Sequence, residues 1–589
     1  MRNHYQMVSV DSSHTLFELL RSCKMGEAGA IVGGHIDRND LRQGLYISTE
    51  EDDLVNSFFV DEYSEDGKLL LITGSAGDGK SALLSRAFLN AQQQGIDSLT
   101  EDQIHMDATA STEKTKTYDK TLDQFFTQVR GNLDSGIGPR SGVAINLGLA
   151  IDFFERKGYN EKYPKLWDAI EHAKPQRKYE TDSIKVLNLS HRTLFETHPD
   201  RFGDGLLRDI VDKFNASDPE SPFHEAYQHE KEVCPAGESC PLHYNVERFT
   251  DNDVRKHVTQ LLAAKSIIEN SYLNPRRILD HLASILLPVP LEKVAETDAA
   301  CPIGAAVQSN RNITAEMLLW NSVFEIIDDH DSGRSGNLDP SAQANREIDL
   351  EILEWVANPT TMDELIGVHP QPHEFGRDSK VQTTLRKLYL EGDKRDDIRT
   401  AIDWSWFNDF LGAYTFFNRS EEFDDTVDEA LRESARSMNS TLKQALKSWS
   451  GRHADGEFIE FIDGIKTPDY RFLAQWSNPS PDLKKSRVRT KRETLPGQLW
   501  FVLQPQQSDN EVPVPISFEL YILMKRISKG YNPNVRDLER SEGIRLIHSR
   551  LSEFTKKEKS VKIIDKNGSV LLTVTEDAFD GISVKGGNQ

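Results

Sequence analysis

The stretch Gly74-Ser75-Ala76-Gly77-Asp78-Gly79-Lys80-Ser81 fits the phosphate-binding pattern G-x-x-x-x-G-K-S/T. Residues 68–73 form an apolar run that predicts a short buried strand, and residues 82–88 predict the first turns of a helix. Strand, glycine loop and helix are the context that this pattern requires for binding a nucleoside triphosphate. The order therefore predicts a parallel α/β domain built around the loop.

Each residue type in the loop suits phosphate chemistry. Gly74, Gly77 and Gly79 allow tight or left-handed turns, so that consecutive N–H groups point into one concavity. The following helix adds the positive end of its dipole. We expect Lys80 to reach the β- and γ-phosphates and Ser81 to place its hydroxyl on Mg²⁺. ATP and Mg²⁺ are therefore the predicted cofactors.

Composition narrows the class of protein. The 589 residues are 37% apolar and 28% charged, with a formal net charge of −24. Proteins that merely coat nucleic acid are usually basic, so any DNA contact is expected to be local or to come through a partner. No apolar run approaches the ~18 residues of a membrane span, and the N-terminus lacks a signal pattern. Four cysteines make no disulfide framework, and we expect a cytoplasmic protein without membrane contact.

Four segments are expected along the chain. Residues 1–60 form an N-terminal lead-in segment before the first domain. Residues 61–290 form a P-loop NTPase domain with a parallel sheet and a helical lid. Residues 291–450 read as a helical domain, and residues 451–589 as a small α+β domain. The expected fold class is therefore α/β, followed by a helical region and an α+β C-terminal domain.

Three later strands of the predicted sheet end on polar residues: Asp107, Asn146 and Asn188. The carboxyl ends of parallel strands face the ligand crevice, which makes all three candidate catalytic residues. A hydrolysing ATPase usually has an acid after the third strand, but Asn146 cannot act as a base. Either Asp107 or Asp152 replaces the acid, or hydrolysis is slow, or a partner completes the site. The alternative role for Asp107 is to cap the end of its strand. Asn188 would either sense the γ-phosphate or serve only to form a turn.

Two arginines follow a helix start at Asn274-Pro275, which suits a cap and a first helical residue. Arg276 and Arg277 are poorly placed against the helix dipole, which suggests another role for them. One of them would reach the phosphates from a helical lid. The alternative is a solvated arginine pair.

Two cysteines raise the question of a metal. Cys234 and Cys240, with His229 and His243 nearby, supply donors suited to tetrahedral Zn²⁺. Their spacing is wider than the usual two to four residues. We therefore favour a proline-rich loop with two free thiols over a zinc site, and we expect Cys301 to be an ordinary thiol.

One basic cluster stands out in the acidic chain and is the candidate nucleic-acid contact. In an extended strand, alternate residues of the cluster would present their charges on one face. The alternative is a solvated loop or a contact with an acidic partner. The candidate residues are Lys484, Lys485, Arg487, Arg489, Lys491 and Arg492.

Several motifs stand out in combination. They are GSAGDGKS (74–81), AINLG (144–148), VLNLSHR (186–192), the cysteine loop (234–245), NPRR (274–277) and KGYNPN (529–534). Together they resemble those of DptF, the ATPase-like component of DNA phosphorothioation-dependent restriction systems. Among these motifs, only the phosphate loop is specific by itself.

The resemblance implies a bacterial defence role, exercised with DptG- and DptH-like partners on DNA that lacks the host's phosphorothioate mark. It implies an AAA-like architecture with ATP at residues 74–81. Asn188 would be a first sensor, and Arg276 or Arg277 a second. DNA would be contacted directly or through the partners, and a homo-oligomer stays open. The alternative function is a regulatory or assembly module that binds nucleotide and hydrolyses little of it.

Overall fold

The computed structural model of the chain describes most residues between 14 and 587. For part of these, in the second half of the chain above all, only the backbone is described. The described ranges are 14–25, 40–61, 64–96, 99–106, 117–288, 299–309, 312–327, 338–342, 346–366, 377–392, 404–419, 428–449, 458–460, 470–475, 479–490, 497–505, 511–531, 537, 560–576 and 581–587.

The chain divides into two compact units. The first comprises residues 1–196, 201–402 and 492–495, and the second comprises 197–200, 403–491 and 496–589. This division differs from the predicted one, because the expected helical domain at 291–450 is shared between the two units. Its last two helices pack on strands and a helix of the second unit, which is why they belong there.

The first unit contains a mixed α/β layer arrangement around one five-stranded sheet. Before the sheet come α1 (Leu16–Ser22), α2 (Asp40–Leu45) and α3 (Glu50–Asn56). The strands are β1 (Leu69–Gly74), β2 (Ile104–His105), β3 (Ser141–Asn146), β4 (Lys178–Glu180) and β5 (Ile184–Asn188). Between them lie α4 (Lys80–Gln93), α5 (Tyr118–Ser135), α6 (Leu147–Ile151) and α7 (Pro164–Ala173).

The strand order is β2-β3-β1-β5-β4. Strands β1, β2, β3 and β5 run parallel, which confirms the parallel sheet expected from the four apolar runs. The short β4 pairs antiparallel with β5 and was not predicted. With three residues, two of them exposed, it carries no apolar run from which a strand would be expected.

The two faces of the sheet form two separate apolar cores. Leu69 and Leu71 of β1 point to the face covered by α5 and α7, and Leu70 and Ile72 point to the face covered by α3 and α4. Successive side chains of a strand alternate between faces, so a strand covered on both sides must be apolar at every position. This is the physical reason why β1 reads as an unbroken apolar run.

Among the residues that the structure describes, these α-helices of the first unit follow the sheet: α8 (Leu206–Lys213), α9 (His224–Val233), α10 (Pro241–Phe249), α11 (Asn252–Glu269), α12 (Pro275–Leu286), α13 (Pro302–Gln308), α14 (Leu319–Ile327), α15 (Arg346–Ala357), α16 (Pro359–Ile366) and α17 (Arg377–Leu390). Helix α11 carries its buried apolar residues at helical spacing, and Asp251 caps it by accepting a hydrogen bond from the Asp253 amide. Helix α10 packs against α11, α12, α13 and α14.

The second unit is α+β. Its elements within the described ranges are α18 (Ser405–Arg419), α19 (Glu429–Trp449), β6 (Phe458–Glu460), β7 (Tyr470–Gln475), β8 (Pro479–Thr490), β9 (Gly497–Pro505), β10 (Val512–Ile516), α20 (Phe518–Ser528), β11 (Ser560–Asp565), β12 (Val570–Glu576) and β13 (Ile582–Gly586). The sheets have the orders β10-β9-β8 and β13-β12-β11-β7-β6. Strands β11 and β12 form the hairpin that the Asn567-Gly568 turn predicts.

Within the described ranges, no helix is both long enough and apolar enough to cross a bilayer.

Candidate functional site

The loop between β1 and α4 has the backbone that its glycines predict. Gly77 and Gly79 adopt φ values of 91° and 89°, in the left-handed region that favours glycine. Gly79 is the N-cap of α4 and, lacking a side chain, offers no capping hydrogen bond to the first turn. The N–H groups of that first turn can therefore donate hydrogen bonds to a bound anion.

The two residues expected to bind phosphate and metal start α4. Lys80 Nζ donates to the carbonyl oxygen of Ser75 at 2.6 Å, so its side chain folds back over the loop. The Ser81 hydroxyl donates to the carbonyl oxygen of Met106, just after β2, at 2.7 Å. Asp107, the next residue in sequence and a candidate catalytic carboxylate, lies outside the described residues.

A buried acid inside the loop links it to the segment before α12. Asp78 is 2% exposed. It accepts a hydrogen bond from the Ser75 amide at 2.5 Å and one from the Tyr272 hydroxyl at 2.6 Å. Burial raises the pKa of Asp78, and the Tyr272 hydrogen bond and the nearby Lys80 charge offset part of that rise. The sequence pattern contained no signal for this link, because Asp78 occupies a variable position of the motif.

The start of α12 contacts the glycine loop directly. Asn274, the N-cap of α12, donates from Nδ2 to the carbonyl oxygen of Ala76 at 2.9 Å. The Arg276 amide donates to the carbonyl oxygen of Gly77 at 3.4 Å. A side chain at Gly77 would place its Cβ 3.0 Å from the Cβ of Arg276, which leaves no room for one. The glycine thus permits close approach as well as the left-handed turn.

The two candidate arginines differ in their surroundings. Arg277 is exposed, and its guanidinium donates to the carbonyl oxygen of Tyr272 at 3.1 Å. Arg276 is half-buried beside the loop, and its Nε has no hydrogen-bond partner within the described structure. Arg276 is therefore the better placed of the two for a phosphate bound at residues 74–81.

Two asparagines flank the end of β1, as expected from parallel strands. Asn146 pairs in register with Gly74, and Asn188 pairs with Thr73. The Asn146 side chain accepts a hydrogen bond from the Gly148 amide at 2.9 Å and thereby caps α6. It supplies no carboxylate at this strand end.

Asn188 is fully buried, with 0% exposure. Its amide nitrogen donates to the carbonyl oxygen of Ala173, and its amide oxygen accepts from the Ser190 N–H group. These contacts favour the turn role for Asn188 over contact with phosphate.

Asp152 was the second candidate for the missing acid. It is hydrogen-bonded to the Tyr118 hydroxyl and forms an ion pair with Arg156. Burial and this hydrogen bond raise the pKa of Tyr118 to about 12. The contacts of Asp152 are therefore with α5 and its own helical turn.

A second group of chemistry-bearing side chains lies around α10. Cys234, Cys240, His243 and Cys301 bring their ligand atoms within 4.8 Å of one another. We name these four residues the thiol–imidazole cluster. The prediction from sequence included Cys234, Cys240 and His243 but treated Cys301 as an ordinary thiol, and His229 is not part of the cluster. Cys301 lies 61 residues after Cys240, too far in sequence for any spacing motif to reveal.

Three of the four residues of the cluster are buried, and Cys234 is half-buried. Cys240 and Cys301 are 0% exposed and His243 is 4% exposed. Burial alone would lower the pKa of His243, but hydrogen bonding with the Cys234 and Cys240 thiols outweighs it and raises the pKa to about 12. Hydrogen bonds from Cys240 and Cys301 hold the pKa of Cys234 well below its ordinary value. The cluster thus favours a thiolate beside an imidazolium.

The basic cluster lies on β8, an end strand of its three-stranded sheet. Arg487 and Arg489 pair in register with Trp500 and Gln498, whereas Lys484 and Lys485 fall in an irregular stretch of the pairing. The backbone confirms the extended conformation expected there. Lys491 and Arg492 lie outside the described residues.

Compared with protein-family models, with curated proteins and with solved structures, the chain matches none.

Proposed function

We propose that the chain binds ATP with Mg²⁺ at residues 74–81 and serves as the ATP-binding component of a DNA phosphorothioation-dependent restriction complex. The observation that carries the nucleotide site is the junction of a buried strand, a glycine loop and a helix that begins with Lys80 and Ser81. The resemblance to DptF supports the restriction role. It also supports the P-loop NTPase assignment of the sheet.

The chemistry follows from the groups at this junction. The ammonium group of Lys80 exchanges the Ser75 carbonyl for phosphate oxygens, which are stronger acceptors because they are charged. The Ser81 hydroxyl turns from the Met106 carbonyl toward Mg²⁺. The uncapped amides at the start of α4 donate to the phosphates.

Nucleotide binding would also act on α12. Asn274 and Arg276 already touch the carbonyl groups of the glycine loop. A change in the loop on binding phosphate is therefore transmitted to α12 without an intermediate residue. Partners resembling DptG and DptH, and DNA, would respond to that change.

A second candidate function is a regulatory or assembly module that binds ATP but hydrolyses it slowly. The specific observation in its favour is Asn146, which stands at the end of β3 as a helix cap instead of a carboxylate. An amide accepts a hydrogen bond from metal-bound water but takes no proton from it.

The test uses the full chain and one substitution. Lys80→Ala should abolish binding of ATP in a calorimetric titration and should abolish restriction in cells. Lys165→Ala is the matched control, because Lys165 lies on α7 with a 65% exposed side chain paired to Asp134. Wild-type affinity in the Lys80→Ala chain would refute the proposal.

Steady-state ATP hydrolysis separates the two candidate functions. It is measured for the isolated chain with and without unmodified DNA, against the Lys80→Ala chain. Robust turnover by the isolated chain would exclude the regulatory module, and turnover that appears only with DNA or partners would support a switch completed in the complex.

A further inference from the structure

We propose that the thiol–imidazole cluster of Cys234, Cys240, His243 and Cys301 is a structural zinc site that binds one Zn²⁺. This zinc site is separate from the nucleotide site at residues 74–81. Its support comes from the chemistry of the donor atoms, the distances between them, their burial and the helices that carry them.

The separations between the donor atoms suit a single tetrahedral ion. Cys240 Sγ lies 4.0 Å from Cys301 Sγ, which in turn lies 4.0 Å from His243 Nε2. With Zn–S bonds of about 2.3 Å and Zn–N bonds of about 2.0 Å, tetrahedral geometry places donor atoms about 3.6–3.8 Å apart. Shifts of a few tenths of an ångström therefore bring these donors to metal-binding distance.

The cysteines are not cross-linked to one another. All four cysteines of the chain are free, and the 4.0 Å between Cys240 and Cys301 is about twice a disulfide bond length. Three of the four nevertheless converge on one imidazole, although one of the three is distant in sequence. Three thiols and an imidazole are donors of a common structural zinc site.

The backbone around the cluster holds two of its sulfur atoms in place. The Gly304 amide donates to Cys301 Sγ at 3.3 Å and so helps to orient that sulfur. A Cβ atom at Gly304 would collide with Cys234 Sγ, so only glycine leaves room for that thiol. Position 304 thus serves two of the four donors.

A neighbouring carboxylate adds negative charge to the same pocket. Glu230 is 2% exposed, and its Oε2 lies 3.6 Å from His243 Nε2 without a hydrogen-bond donor in the described structure. Its other oxygen is hydrogen-bonded to the Leu16 amide of α1. The Glu230 carboxylate and the sulfur and nitrogen donors of the cluster thus lie around one buried site, where a divalent metal ion would interact favourably with all of them.

Zinc suits this donor set better than harder cations, because Mg²⁺ and Ca²⁺ bind oxygen. Four protein donors fill a tetrahedral shell and leave no position for water or substrate, which is typical of structural sites. The close approach of all four donor atoms favours one ion over an iron–sulfur cluster, whose cysteines bind different irons.

The ion would connect segments that the chain brings together only by folding. Cys234 follows α9, Cys240 and His243 begin α10, and Cys301 is the N-cap of α13. Helix α10 packs against α12, which contacts the glycine loop. Zinc would therefore hold together the helices behind the nucleotide-binding loop.

The test measures metal in the full chain by inductively coupled plasma mass spectrometry after purification without chelator. We expect about one Zn²⁺ per chain. Cys240→Ser and Cys301→Ser should each reduce it to background. Cys23→Ser is the matched control, since Cys23 is also buried, at 5% exposure, but lies outside the cluster. A folded chain without zinc, or zinc that survives both cluster substitutions, would overturn the proposal.

Two further measurements keep the test decisive if a serine variant fails to fold. His243→Cys preserves four soft donors and should retain zinc, whereas His243→Ala should lose it; equal retention in both would contradict the site. Wild-type chain stripped by a chelator and reloaded with Co²⁺ should show the intense visible bands of tetrahedral thiolate coordination. A weak octahedral spectrum would overturn the proposal, and a bound iron chromophore in the purified chain would replace zinc by iron.

Discussion

Replacement of Tyr272 by phenylalanine tests whether the buried acid of the glycine loop holds the start of α12 in place. The substitution removes only the hydroxyl that donates to Asp78 at 2.6 Å. Leaving a buried acceptor without its donor costs about 1–3 kcal/mol. We expect the lower half of that range, because the bonds from Asn274 and Arg276 to the loop remain.

Hydrogen exchange of the backbone amides is the assay, since it reports local opening. A loss of about 1–3 kcal/mol accelerates exchange through that opening by a factor of about 5–150. The increase should appear in peptides covering residues 74–81 and 272–278. Tyr163→Phe is the matched control, because Tyr163 also donates to a carboxylate, that of Asp123, at 2.6 Å. It should leave exchange of the loop unchanged.

The effect of Tyr272→Phe should depend on pH in a defined direction. Burial raises the pKa of Asp78 in the folded chain, and the Tyr272 hydrogen bond favours the charged carboxylate. The stability associated with a raised pKa is present below the unfolded pKa of about 3.9 and is lost as pH rises through the folded pKa. Because the Tyr272 hydrogen bond is stronger to the charged carboxylate than to the neutral acid, the free-energy cost of Tyr272→Phe should grow as Asp78 ionises. Unchanged loop exchange at neutral pH would refute the proposed link.

Substitutions at two further positions, Asp66 and Asn146, test contacts at the two ends of the sheet strands. Arg140 donates to both carboxylate oxygens of Asp66 at 2.8 Å and holds the pKa of Asp66 well below its usual range. Its stabilisation is present above the unfolded pKa of about 3.9 and is lost as pH falls through the folded pKa. Asp66→Asn should cost about 3 kcal/mol in urea unfolding of the first unit at neutral pH and much less in acid, and an equal loss at both would contradict the ion pair. Asn146→Ala should cost about 1 kcal/mol in thermal unfolding because it removes the cap of α6. Asn146→Asp should keep the cap and raise ATP turnover, and unchanged turnover would exclude this position for the missing carboxylate.

Much of the sheet could be predicted because its strands are covered on both faces. Residues 141–146 and 184–188 are largely apolar for the same reason as β1, and β1 lies within a residue of its expected bounds. The Asn567-Gly568 turn indicates the hairpin of β11 and β12 by its local chemistry. The division into two units could not be predicted, since it depends on which neighbours α18 and α19 pack against.

The glycine loop illustrates the same limit at a site. Its glycines, lysine and serine could be recognised in the sequence because the motif is one continuous stretch. Its contacts with Tyr272 and Asn274, about two hundred residues later, depend on how the fold brings the start of α12 to the loop. The buried position of Asp78 likewise results from that contact.

The sequence by itself determined the parallel strands, the glycine loop with its Lys80 and Ser81, and the acidic character of the chain, because these follow from local periodicity and composition. Only the tertiary structure decided which distant side chains meet. It joined Asp78 to Tyr272, and it brought Cys301 to Cys234, Cys240 and His243. Contacts between residues far apart in the chain are set by the packing of whole helices, and no local pattern records them.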